Sequence, residues 1–170
     1  MIESIGKKFL KSTITFMLEE GALNLIDAGI YEGDTRYLLS NMIAKISLSD
    51  SEYYISEEAL SEMNYNENEV YTRSSLYKKF VFEHNIPCSV VRSELMRVQD
   101  EEDNPEWDSI LDSCGSVVII TKEEDNILNK SHKSNMGEGW KWGDDEFRRY
   151  ELCGIKISDV KVKVKGSICR

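Results

Sequence analysis

Apolar positions change their spacing along this chain. In the first part they recur at helical intervals. "IGKKFLKSTITFMLEE" places Ile5, Phe9, Leu10, Ile14, Phe16 and Met17 near a helical spacing, although threonines 13 and 15 work against it. "DTRYLLSNMIAKISL" sets Tyr37, Leu38, Met42, Ile43 and Ile46 on one stripe, with Asp34 as the cap. "SEEALSEM" opens with Ser56 as a cap and puts acidic side chains in the first turn, at the positive end of the helix dipole. The pattern is therefore helical to about residue 65, where the polar run "NYNENE" interrupts it.

Beyond that run the spacing is mixed. "VYTRSSLYKKFVFEH" fits a helix or a strand, and "SVVRSELMRV" predicts a short helix after Pro87. "NPEWDSILDSCG" carries helix punctuation: Asn104 at the N-cap, Pro105 at the first helical position, Gly115 past the end. "SVVIIT" is a continuous β-branched apolar run and predicts a buried central strand. Thr121 and Glu124 form a capping box that opens a helix over "KEEDNILNKSH". A loop rich in glycine and tryptophan follows. Trp140 and Trp142 either pin it to the body or present a binding surface. "DDEFRRYELCG" predicts a last short helix stopped at Gly154. The tail "KVKVK" alternates strictly, with Val160, Val162 and Val164 on one face and Lys161, Lys163 and Lys165 on the other. It predicts a half-exposed strand, neighbouring "SVVIIT" or at the sheet edge, with lysines that discourage edge pairing. Together these elements predict a helix-rich α+β fold with a small β-sheet. Residues 1–66 form a helical part and residues 67–170 an α+β part, joined in one compact domain.

Composition narrows the function. Charged residues are 31% and hydrophobic residues 41% of 170, an ordinary globular balance. No apolar run approaches the roughly 20 residues that span a bilayer, and the start of the chain lacks a secretory pattern. The expectation is a cytoplasmic protein with no membrane partner, in which Cys88, Cys114, Cys153 and Cys169 are reduced thiols. The formal net charge of −10 repels nucleic acid unless basic side chains cluster or a metal neutralises the site. It suits a basic protein partner, such as a nuclease toxin or a ribosomal protein.

The chemistry-bearing stretch is "FVFEHNIP", an acidic residue and a histidine at the end of an apolar run, with proline three further on. After the "SVVIIT" strand comes "TKEEDNILNKSH". This pair of stretches, within residues 80–135, resembles the two halves of the HNH (ββα-metal) nuclease motif. The resemblance implies His84 as general base and Glu83 as metal ligand, with Asp125 where the family's second-half ligand histidine falls. Asn129, four residues on, shares a helix face with Asp125. It implies cleavage of DNA or RNA, in bacterial defence or as a toxin. Such hydrolysis needs a base for water and a divalent cation for the phosphate charge. Oxygen ligands such as Glu83, Asp125 and Asn129 suit Mg²⁺ or Mn²⁺, and Arg148 and Arg149 would hold phosphates. Between the halves, where the family has a hairpin and an asparagine-bearing loop, this chain has two helical stretches and an acidic loop.

Each residue also has a plainer reading. His84 beside Pro87 suits a packed turn. Asp125 in a first helical turn and His132 near a helix end each complement the dipole. An Arg148–Arg149 pair on so acidic a chain suits surface ion pairs. The alternative function is then a non-enzymatic acidic binding protein, such as an immunity protein covering a basic toxin. It would dock through Asp100, Glu101, Glu102, Asp103 and Glu106, with Trp107 as apolar anchor.

Overall fold

A computed structural model describes residues 5–19, 32–48, 52–101, 107–114 and 116–165. Among them are eight helices and five strands, an α+β fold that is more helical than stranded. The chain divides into two compact units, one of Met1–Ser49 with Cys88–Cys114, the other of Asp50–Pro87 with Gly115–Arg170.

The first unit is helical. It contains α1 (Ile5–Glu19), α2 (Glu32–Ser47), α5 (Cys88–Glu101) and α6 (Trp107–Asp112). α1 packs on α2, α2 on α5, α5 on α6, and α6 back on α1, so the four close a ring. Ile14, Leu18, Leu39, Ile43, Ile46, Val91, Leu95, Ile110 and Leu111 are buried within it. The largely buried Lys11 pairs with Asp112, and Ser47 donates to the Cys114 carbonyl at 3.0 Å. The stripe expected on α2 is shifted. Leu39, Ile43 and Ile46 are its core positions, whereas Tyr37 and Leu38 are 73% and 51% exposed. Spacing of 39, 43 and 46 satisfies the helical period as well as the expected set, and packing chose between them. Asp34 lies inside the first turn, because the helix already begins at Glu32. The expected punctuation at Asn104, Pro105 and Gly115 lies outside the described residues.

The second unit carries the sheet, ordered β2-β5-β1-β4-β3. Its strands are β1 (Glu52–Ser56), β2 (Tyr71–Thr72), β3 (Phe80–His84), β4 (Val117–Thr121) and β5 (Ile157–Lys165). Its helices are α3 (Glu57–Met63), α4 (Arg73–Leu76), α7 (Lys122–Ser131) and α8 (Arg148–Leu152). β4 lies inside the sheet, parallel to β1 and antiparallel to β3, and every one of its side chains is buried. That is the strand expected of "SVVIIT". β1 corrects the all-helical expectation for the start of the chain. "EYYIS" buries Tyr53 and Ile55 between two partner strands, an environment that five residues of local pattern do not announce. The ambiguous "VYTRSSLYKKFVFEH" becomes a two-residue strand, one helical turn and β3. β5 has the expected alternation, with Val162 and Val164 buried and its lysines exposed. It neither adjoins β4 nor ends the sheet: β1 separates it from β4, and β2 pairs with Val164 and Lys165 on its other side.

The register fixes which side chains share a face. Val81 lies opposite Ile120 and Glu83 opposite Val118. On that face Val118, Ile120, Leu128, Tyr150 and Ile155 form a core, with Val81, Tyr54 and Phe147 against it. Glu83 is therefore aimed at the layer that contains α8.

Candidate functional site

Of the expected site residues, Glu83, His84 and Arg149 meet at the end of β3. Arg149, in the first turn of α8, is fully buried. Its Nε donates to the Asn85 carbonyl and its Nη1 to the His132 carbonyl, each at 3.0 Å. Its Nη2 donates to Glu83 Oε1 and to the His84 carbonyl. The guanidinium also lies 5.3 Å from the centre of the Tyr150 ring. A planar fork of donors suits such convergence, since each N–H points at a different acceptor. Burying the cation would cost several kcal/mol without these partners. Its role as a phosphate contact is corrected on this ground: it is sealed from solvent, and its nitrogens are committed to four protein oxygens. Arg148, the neighbouring arginine, points the other way and pairs with Glu151 at 2.6 Å, 43% exposed.

Glu83 is the counter-ion. Burial pushes its carboxyl above the ordinary range, and Arg149 pulls it back. A neutral carboxyl would leave Arg149 an unbalanced buried cation. Asp125 lies near enough for its charge to act on Glu83. Asn129 is exposed on the same helix. Among the described residues, no three His, Cys, Asp or Glu side chains are grouped to hold a metal ion.

His84 ends β3. Its Nδ1 is buried without a hydrogen-bond partner among the described residues. Burial, and then the charge of Arg149, lower its pKa to about 4. The ring is therefore neutral at physiological pH, but as a base it is weak. A general base works best with a pKa near the operating pH, so this environment detunes His84 for activating water.

Residues that sequence reasoning passed over complete the cluster. Asn85 is fully buried; its amide bonds Glu146, its Oδ1 accepts from Ile86 N–H at 2.8 Å, and its N–H donates to the Ser116 carbonyl at 3.1 Å. Tyr150 is fully buried, and burial pushes its phenol well above the ordinary range. The only sequence signal for Asn85 was its place inside "EHNIP". Arg149 carried none beyond being one of an arginine pair.

The glycine-rich loop folds on itself. Trp140 Nε1 donates to the Asp145 carbonyl at 3.0 Å, and the Trp140 and Trp142 rings meet edge-on, 6.1 Å between centres. Gly137, at φ +93, makes the close approach to Leu152. Glu138, Trp140, Asp144, Asp145 and Arg148 line a shallow cleft of about 230 Å³.

On the acidic run, the backbones of Asp100 and Glu101 close α5, while their side chains and all of Glu102, Asp103 and Glu106 lie outside the described residues. Trp107 opens α6, half-buried, with a buried indole N–H that has no acceptor among the described residues. No described helix is long and apolar enough to cross a membrane. No family of known proteins, no curated protein and no solved structure matches this chain.

Proposed function

We propose that this protein is a non-enzymatic binding protein whose acidic surface docks a basic protein, as an immunity protein docks a basic toxin. One observation supports this reading over the HNH-like nuclease. Glu83, the candidate metal ligand next to His84, is paired with the buried Arg149. A protein cation already balances the carboxylate, and His84 beside it is poorly tuned as a base. The cluster then serves as a buried structural clamp. The residues from 88 to 114 carry eight carboxylates against two arginines, a local field that attracts a basic partner and speeds its association.

Two measurements test this. Purified protein with Mg²⁺ or Mn²⁺ should leave plasmid DNA and RNA intact. Metal-dependent cleavage that disappears in His84→Ala would restore the nuclease reading, since losing a general base costs on the order of 10²–10⁴-fold in rate. Capture from the native host should recover a basic protein. Changing Asp100, Glu101, Glu102, Asp103 and Glu106 to lysine should slow its association by about 10-fold or more at low salt. An association rate indifferent to salt and to these reversals would remove the proposal.

A further inference from the structure

Cys88 and Cys114 are far apart in sequence, but the fold returns the chain to nearly the same place. β3 and β4 run antiparallel, with His84 opposite Val117, and Asn85 N–H donates to the Ser116 carbonyl at 3.1 Å. Cys88 comes three residues after Asn85, and Cys114 two residues before Ser116. Cys88 then opens α5, Cys114 follows α6, and these two helices pack together. The thiols are also near enough to sense each other. After burial, the charge of Cys88 is the largest influence raising the Cys114 pKa. Both are reduced in the structure. Cys88 is half-buried, whereas Cys114 is 1% exposed.

We propose that Cys88 and Cys114 form a redox modification site, at which a peroxide converts the two thiols into a disulfide joining both ends of the segment between them. The sulfur of Cys88, the accessible one, attacks a peroxide oxygen. The O–O bond breaks, Cys88 becomes a sulfenic acid, and one water leaves. The Cys114 sulfur then attacks the Cys88 sulfur. The S–O bond breaks, the S–S bond forms, and the hydroxide departs as a second water with the Cys114 proton. The two thiols lose two electrons and two protons, and hydrogen peroxide is reduced to two waters. A disulfide requires Cα atoms within roughly 7 Å, which the returning strands favour. Because thiolate is the attacking form and burial disfavours it at Cys114, the second step is slow and quickens as pH rises. The bridge would pin the ends of the segment bearing the acidic run, which makes the site independent of what that run binds.

The full chain should be treated with stoichiometric hydrogen peroxide, its remaining thiols alkylated, and its peptides mapped by mass spectrometry without reduction. The expected result is the loss of two thiols and a linked pair containing Cys88 and Cys114. Cys153→Ser should form the same link, and Cys88→Ser should abolish it. The linked fraction should rise with pH. Oxidation that stops at a sulfenic or sulfinic acid on Cys88, or linkage through Cys153 or Cys169 instead, would overturn the assignment. Because Cys88 is half-buried, Cys88→Ser provides the control even if Cys114→Ser fails to fold.

Discussion

The sheet-bearing unit holds two buried polar clusters, built on opposite principles. The first joins two helix starts. β1 and β4 run parallel, and each leads directly into a helix. Ser56 caps α3 by accepting from Ala59 N–H, and Thr121 caps α7 by accepting from Glu124 N–H, both at 3.1 Å. Glu124 returns the bond to Thr121 N–H at 2.9 Å and also accepts from the Ser56 hydroxyl at 2.6 Å. One carboxylate therefore ties both caps together. The second cluster is Arg149 with Glu83, His84, Asn85 and His132, a cation enclosed by acceptors from distant segments. The caps are two local motifs joined by one hydrogen-bonded carboxylate, so losing a member forfeits hydrogen bonds. The clamp is long-range and charged, so losing a member strands a buried ion.

That difference sets the order of the expected effects. Arg149→Met keeps the volume and removes the cation. It leaves Glu83 without its counter-ion and the Asn85 and His84 carbonyls without these donors. Breaking a buried pair from one side costs about 3–5 kcal/mol, read by urea unfolding at pH 7. Adding Glu83→Gln to Arg149→Met should recover part of that loss. If the single variant cost less than about 1 kcal/mol, the clamp would be no more important than an exposed pair.

Acid should strain the clamp next. His84 binds its proton near pH 4 in the folded chain, against an ordinary 6.5. Between those values the unfolded chain holds a proton that the folded chain does not. Stability therefore falls as pH drops from about 6.5 to 4, by about 1–3 kcal/mol at roughly 1.4 kcal/mol per pKa unit with a discount for partial exposure. Glu83 acts with the opposite sign. Its raised folded pKa stabilises the protein at pH below its ordinary 4.5, a contribution lost as pH rises through the folded value. Unfolding curves for the wild type and His84→Gln separate the two. The variant should lack the loss between pH 6.5 and 4, and parallel curves would place His84 outside the clamp's electrostatics.

Glu124→Ala probes the other cluster. It removes the acceptor shared by Thr121 N–H and the Ser56 hydroxyl. A lost cap costs typically about 1 kcal/mol, and a stranded buried hydroxyl adds a comparable amount, so about 1–2 kcal/mol is expected in the same assay. A loss equal to that of Arg149→Met would erase the distinction between the capping cluster and the cation clamp.

The two clusters also differ in how far the sequence announced them. Thr121 and Glu124 are three residues apart, and a capping box is a local pattern, so that half of the first cluster was legible. Its link to Ser56 spans 68 positions and was not. His84 ends a strand, but its stretch fitted a helix or a strand equally well, so its place at a strand end was only one of the readings open. Arg149 reaches partners 64 to 66 residues away, and an arginine next to an arginine says nothing about which one turns inward. The HNH-like reading drew on the same residues, but their types alone did not indicate that a cation of the protein's own would balance the carboxylate. On α2, one face could be phased through Leu38 or Leu39, and only tertiary packing selects Leu39. β1 was hidden because five residues are too few for an alternation to stand out from the helical pattern around it.

The smallest expected effect makes the sharpest contrast, because it lies one residue from the largest. Arg148 and Arg149 are chemically identical and adjacent. Arg148 pairs with Glu151 on the surface of a single helical turn, at side-chain exposures of 43% and 67%. Water solvates both charges when the pair opens, so an exposed pair at this spacing contributes about 0.3–0.5 kcal/mol, and salt screens it. Arg148→Ala should therefore change stability by no more than about 0.5 kcal/mol, and that change should shrink further in high salt. The loss in Arg149→Met should respond far less to salt, because no solvent reaches its guanidinium. Arg148 also lines the shallow cleft with Trp140 and Glu138. An Arg148→Ala cost above about 1 kcal/mol would mean that the glycine loop depends on this side chain, and that the division into a structural and a surface arginine is wrong.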